Sequence, residues 1–339
     1  MDRLLFKRPG APPMAPKKPA KEELNHIVQP NAYFKDERIV QVNDNKFSIY
    51  SSTVQKNEEL GEDHTLLVFL HGGGLTSMSW AVCAQELRSM ISSRPPPPVL
   101  HSKVKINTGP NSYQTVAIDL RGHGKTTTTD DSDFNIDTLV ADVNGVISQI
   151  VSSPESRVVL IGHSLGGCVA TKLAASKPTS FKVTGLVVVD VVEGTAVLSF
   201  ENMKQVINNR PNKFTTPEQA IAWSLKNGQN NVESAQVSIP SQLMYDPNNQ
   251  THVWRTNLND TVEHWPSWYK GLSNQFLSYH GPRLLLLAST NRLDTELMIA
   301  QMQGQFQMKV LNSTGHFMQE DEPGQIAKVI DTFLRTFSI

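Results

Sequence analysis

The chain has 339 residues, 39% of them apolar, with a formal net charge of −1 and a pI near 6.8. This near-neutral balance argues against nucleic acid or an anionic membrane as the main partner. Two cysteines, Cys83 and Cys168, are too few for a disulfide framework; both fall in helical patterns and read as small buried apolar residues of a reducing compartment. No run approaches 18 apolar residues and no N-terminal apolar signal stands out, so neither a membrane span nor a secretory leader is expected.

Residues 1–30 are rich in Pro, Lys and Ala without apolar periodicity and are expected to form a disordered tail. Its Lys7-Arg8 and Lys17-Lys18 pairs read as solubilising rather than as a targeting signal. Arg38–Val42 and Lys46–Tyr50 form a predicted hairpin joined by Asn43-Asp44-Asn45. Thr65–Leu70 is a buried strand ending in His71-Gly72-Gly73-Gly74; Lys103–Asn107 is ambiguous, and Thr115–Leu120 is the next clear strand. Between them, residues 91–114 contain four consecutive prolines, Pro95 to Pro98, which favour polyproline II and an exposed insertion.

Asn135–Val151 is an amphipathic helix, and Arg157–Ile161 is a strand followed by a helix over Leu165–Lys177. Gly185–Val192, Arg283–Ala288 and Phe306–Leu311 complete the strands, and the last helix starts near Pro323. Alternating strands and helices predict a doubly wound, mostly parallel α/β sheet over residues 31–339. The exception is 193–280, helical and polar, which reads as a cap inserted between two late strands. It holds Trp223, Trp254, Trp265 and Trp268. Trp223 reads as part of the cap's own core; for Trp265 and Trp268 that role and contact with substrate stand equally open.

Gly162-His163-Ser164-Leu165-Gly166, between a buried strand and a helix, matches the G-x-S-x-G nucleophile elbow. A strained strand-to-helix turn lifts Ser164 above the sheet edge and leaves no room for side chains two residues either side. Serine is a poor nucleophile at pH 7 and needs a base in hydrogen-bond reach. Among ten histidines, His316 projects from the loop between the last strand and the last helix, at the carboxyl edge of the sheet where ligands bind. His71 and His123 lie in Gly-rich turns and read as structural, as does Asp119-Leu120-Arg121; His163 points away within the elbow, and His264 and His280 lie in the cap. For the acid that orients the histidine, Asp190 and Asp294 both end strands and both lie between Ser164 and His316 in sequence, so the pattern leaves them open. The three glycines after His71 uncover backbone N–H groups; Gly73 or Gly74, with the N–H of Leu165, would form an oxyanion hole. No G-x-G-x-x-G or P-loop lysine accompanies them, which weakens a phosphate-binding reading.

Several stretches go beyond the elbow. Phe69-Leu70-His71-Gly72-Gly73-Gly74 with Ser79-Trp80-Ala81-Val82, Asp190-Val191-Val192-Glu193-Gly194-Thr195-Ala196, Gly271-Leu272-Ser273-Asn274, and the run from Gln301 to Met308 resemble the protein phosphatase methylesterases from about residue 30 onward. The resemblance implies an α/β-hydrolase fold and a catalytic triad of Ser164, Asp190 and His316, choosing Asp190 over Asp294. It further implies the substrate, the methyl ester on the C-terminal leucine of the type 2A protein phosphatase catalytic subunit. Its partners would be that subunit and its scaffold-bound forms, in cytoplasm or nucleus, with the phosphatase regulated by the encounter; no metal or organic cofactor is required. Three features depart from the family: the Pro-rich insertion, Cys168 where alanine is expected, and a short cap segment from Met244 to Gln250. A small-molecule esterase of the same fold and an inhibitory phosphatase-binding protein are the rival readings. An epoxide hydrolase or dehalogenase is disfavoured, because it would carry a carboxylate where Ser164 stands.

Overall fold

In a computed structural model the described residues are 27–54, 64–94, 112–289 and 293–339. Residues 1–26 of the predicted tail and 95–111 of the Pro-rich insertion, including Lys103–Asn107, lie outside them. Ten strands are present among the described residues: β1 Asp36–Val42, β2 Asn45–Val54, β3 His64–Leu70, β4 Ser112–Ile118, β5 Arg157–His163, β6 Lys182–Val189, β7 Leu243–Asp246, β8 Thr251–Trp254, β9 Arg283–Leu287 and β10 Gln307–Val310. Eight form one sheet in the order β1-β2-β4-β3-β5-β6-β9-β10. The β1–β2 and β2–β4 pairs are antiparallel, and every pair from β4 to β10 is parallel.

The short apolar runs form strands because they are covered on both faces. Leu66, Val68 and Leu70 of β3 enter one core, and Leu67 and Phe69 enter the other; Val158 and Leu160 of β5 oppose Val159 and Ile161 in the same way. The first core is closed by the helices Ile136–Ile150, Leu165–Ser176, Leu272–Ser278 and Thr295–Met302. The second is closed by Ala81–Ser92 and Pro323–Phe337. Ile136–Ile150 is capped by Asn135, whose side chain accepts from the N–H of Asp137 at 2.9 Å. That helix buries Ile136, Leu139, Val143, Val146 and Ile147 as one stripe. Pro323 opens the last helix, where its missing N–H costs nothing. Both cysteines are free and buried.

The strand order carries the functional geometry. From β3 the chain steps to β4 on one side and then to β5 on the other, so the carboxyl ends of β3 and β5 flank the switch point where such sheets bind ligands.

The predicted cap divides in two. Phe214, Ala220, Ile221, Ala235 and Ile239, with Trp223 and Trp254 packed against them, form a separate small core. Trp265 and Trp268, each 2% exposed, belong instead to the main core. The cap is also not wholly helical: β7 and β8 form an antiparallel hairpin that includes the Met244–Gln250 segment. Strands of four half-exposed residues carry too little alternation to be seen as such, although the turn residues Pro247, Asn248 and Asn249 mark the bend between them. Among the described residues no helix is long and apolar enough to cross a membrane.

Candidate active site

The turn after β5 places Ser164 at φ 51°, ψ −118°, a conformation that costs a non-glycine residue on the order of 1–3 kcal/mol. The turn is tight enough that a Cβ on Gly162 would collide with the Gly166 carbonyl, and one on Gly166 with the Leu70 carbonyl. The Ser164 N–H donates to the Val189 carbonyl at 3.0 Å, and its own carbonyl accepts from the N–H of Cys168 at 3.1 Å, locking the elbow between β6 and the following helix.

Asp190 stands one residue beyond β6, also at positive φ (51°). The His316 Nδ1–H donates to Asp190 Oδ2 at 2.8 Å, while the N–H of Ala288 donates to Oδ1 at 2.9 Å. A proton on Nδ1, required by an acceptor-only carboxylate, leaves Nε2 free to act as a base. Burial alone would raise the Asp190 carboxyl, but the hydrogen bond and charge of His316, with the Ala288 N–H, hold it below the ordinary carboxylate range. The His316 side chain is 50% exposed, so water reaches the base.

Asp294, the other candidate, is occupied elsewhere: its Oδ1 accepts from the Gly194 N–H at 2.8 Å and its Oδ2 from the Ser273 hydroxyl. Glu193 accepts from the N–H groups of Gly271 (3.0 Å) and Ser273 (3.4 Å). The Asp190–Ala196 and Gly271–Asn274 stretches are therefore the two roots of the cap, clasped together by two carboxylates.

On the oxyanion side, the Gly74 N–H donates to His123 Nε2 at 2.9 Å, so Gly74 has no free donor to offer. Among the described residues no hydrogen bond occupies the N–H of Gly73 or of Leu165, and these two remain as the pair of donors. Leu165 opens the elbow helix, whose N-terminal dipole points the same way.

The histidines read as structural are buried and neutral. His71 donates from Nδ1 to the Gly72 carbonyl (2.8 Å) and accepts at Nε2 from the Leu120 N–H (2.9 Å); burial pushes its pKa down. His123 donates from Nδ1 to the Arg121 carbonyl at 2.7 Å, and burial lowers it to about 4. Asp119 accepts from the N–H groups of Ser77 and Lys125, tying the loop after β4 to the segment after β3. His163 has a role that its position in the motif does not reveal. Its Nε2–H donates to the His316 carbonyl at 2.8 Å and its ring centroid lies 4.8 Å from that of His316. Burial, with repulsion from His316, lowers it to about 3, so it props the His316 loop as a neutral ring.

The structure does not bring Trp265 and Trp268 to a substrate surface. Their indole N–H groups are taken by Thr261 Oγ1 (3.0 Å) and the Phe134 carbonyl (2.8 Å), and both rings sit in the main core. Their neighbour Tyr269 is buried in the same core, and burial pushes its pKa up. No sequence motif marks it. Another unmarked feature lies past His316: Asp321 accepts from the N–H of Gly315 and of the cap residue Asn230, both at 2.9 Å. Beside it Glu320 accepts from Gln229 Nε2 at 3.0 Å, and burial pushes its carboxyl up to about 8.

Comparison with known proteins gives the fold and the family. The model of an alpha/beta hydrolase family matches residues 67–329. Among solved structures, E-2-(acetamidomethylene)succinate hydrolase superposes with a TM-score of 0.67 at 16% identity, covering 88% of this chain and 98% of that one. A thioesterase domain from the curacin biosynthetic pathway gives 0.61 at 16% identity, covering 87% and 98%. At such identities the likeness speaks for the fold alone; the family model makes the chain an α/β hydrolase.

Closer relatives narrow the class. A probable protein phosphatase methylesterase 1 of Caenorhabditis elegans is 34% identical over 328 residues, spanning 96% of this chain and 82% of that one. Protein phosphatase methylesterase 1 of Schizosaccharomyces pombe is 38% identical over 274 residues (80% and 74%), and that of Homo sapiens 34% over 316 (81% and 76%). The chain belongs to the protein phosphatase methylesterase family.

Proposed function

We propose that this protein is a serine carboxylesterase that removes the methyl ester from the C-terminal leucine of the type 2A protein phosphatase catalytic subunit. The observation that carries the reading is the Asp190–His316 hydrogen bond at 2.8 Å, beside a serine held on a strained elbow. Ser164 Oγ attacks the ester carbonyl while His316 Nε2 takes its proton. The tetrahedral oxyanion forms against the N–H groups of Gly73 and Leu165, each worth about 3 kcal/mol of barrier in comparable sites. Collapse expels methanol, which receives the proton from His316. A water activated by the same imidazole then hydrolyses the acyl-enzyme and frees the leucine carboxylate, with Asp190 holding the tautomer throughout. Partners on this reading are the phosphatase catalytic subunit and its scaffold-bound forms, encountered in cytoplasm or nucleus, and demethylation regulates them.

The test is methanol release from the methylated phosphatase compared with hydrolysis of short acyl esters. The reading expects a kcat/KM for the phosphatase at least about 10²-fold above that for small esters. Comparable values would assign the protein to small-molecule esterases of the same fold. No methanol release, with phosphatase inhibition retained in Ser164→Ala, would make it an inhibitory binding protein.

A further inference from the structure

Ser164 and Asp190 stand at the ends of the central strands β5 and β6, but His316 follows β10, the outermost strand of the sheet. That strand has four residues, none of them fully buried, and it pairs with β9 on one side. So short an edge strand anchors the loop that carries His316 only weakly. The imidazole itself is half-exposed, so its place has to be set from the main chain as well as by Asp190.

Two side chains grip that main chain, one on each side of the His316 Cα. The His163 Nε2–H donates to the His316 carbonyl at 2.8 Å, and Asp321 Oδ2 accepts from the Gly315 N–H at 2.9 Å. Asp321 is 7% exposed, and its Oδ1 accepts from the Asn230 N–H at 2.9 Å. Its own place is fixed by the turn Met318–Asp321, where its N–H donates to the Phe317 carbonyl at 2.8 Å. Both carboxylate oxygens are thus taken up by peptide N–H groups of two segments, the His316 loop and the cap turn before the helix Val232–Ser241. Hydrogen bonds to a carboxylate are stronger than neutral ones, and removing the acceptor strands both donors.

We propose that Asp321 is a positioning residue for the base: it fixes the chain leading into His316 and ties it to the cap, so that the imidazole stays on Asp190 and faces Ser164. The proposal rests on the reading above in which His316 is the base. Asp321 bonds main-chain groups and not the imidazole, so its loss acts through the fraction of molecules with the ring in place. Losing a charge-assisted hydrogen bond lowers that fraction roughly 10- to 100-fold. The loss falls on acylation and kcat rather than on substrate binding. A merely structural role predicts a different result, a lower Tm with the folded molecules reacting at the parent rate.

The experiment is the rate of fluorophosphonate labelling of the full chain well below each variant's Tm, with kcat and KM for methanol release from methylated phosphatase measured beside it. Asp321→Ala removes both acceptors; Asp321→Asn keeps the volume and one acceptor oxygen. The expected result is labelling about 10- to 100-fold slower in Asp321→Ala and a smaller fall in Asp321→Asn, with kcat following the labelling rate and KM within about threefold of the parent. Labelling of folded Asp321→Ala at the parent rate, or a loss carried by KM, overturns the positioning role. Should Asp321→Ala fail to fold, Asp321→Asn decides, and its labelling at the parent rate overturns the role in the same way. Asp190→Asn is the control for the underlying reading: if it too labels at the parent rate, the triad itself falls, so the two failures are distinguishable.

Discussion

The sheet and the 193–280 segment are held by different balances of apolar and polar contact. In the sheet, each central strand divides its side chains between two apolar cores, and Ser164 and Asp190 of the candidate site sit at the carboxyl ends of strands fixed by those cores. A fully buried leucine there is worth about 1.5–3 kcal/mol of transfer free energy. The 193–280 segment has a small core of its own, shares Trp265, Trp268 and Phe276 with the main core, and is tied further by polar clasps: Glu193 and Asp294 at its roots, Glu320 and Asp321 beside the His316 loop. Apolar packing fixes where the strand ends stand; in the 193–280 segment carboxylate contacts add to apolar packing. Substitutions in the two regions should therefore damage different kinetic constants.

The largest expected effect is in the sheet-borne site. Asp190→Asn keeps the shape but loses the acceptor that selects the His316 tautomer, and kcat should fall about 10⁴-fold with little change in KM. Steady-state kinetics check this; a loss carried by KM would break the division between regions. Next comes the hinge: Asp294→Ala removes acceptors for Gly194 and Ser273 and should raise KM about tenfold while kcat stays within about threefold. A kcat collapse in that variant would mean that Asp294, not Asp190, serves the histidine.

The smallest effect concerns pH. Glu320 is raised by burial from its ordinary value of 4.5 to about 8, so between those values the folded state holds a proton that the unfolded state has released. Its contribution to stability is full below about pH 4.5 and is lost as pH rises towards 8, at up to about 1.4 kcal/mol per pH unit. Glu320→Gln, which keeps an acceptor for Gln229, should flatten the fall in Tm between pH 5.5 and 8.5. An unchanged pH dependence of Tm in the variant would show that Glu320 is not the group responsible.

The same contrast explains what the sequence disclosed. The strands at Thr65, Arg157 and Arg283 were legible because a strand buried on both faces is an unbroken apolar run, and the elbow because its strain demands glycine at 162 and 166. The choice between Asp190 and Asp294 was not, since both end parallel strands and differ only in which group each meets in space. The cap was the least legible region. Its hairpin is too short to show alternation, and Trp265 and Trp268 sit in a polar stretch that nevertheless packs into the main core. The supporting role of His163 depends on a contact with a residue far along the chain, His316, which no local pattern encodes.

In the proposed chemistry Ser164 is the group that is acylated. Methanol release from methylated phosphatase by Ser164→Ala, measured beside the parent and at unchanged Tm, tests it most directly. The geometry predicts a kcat lower by about 10⁴ to 10⁶, and turnover within tenfold of the parent would contradict it.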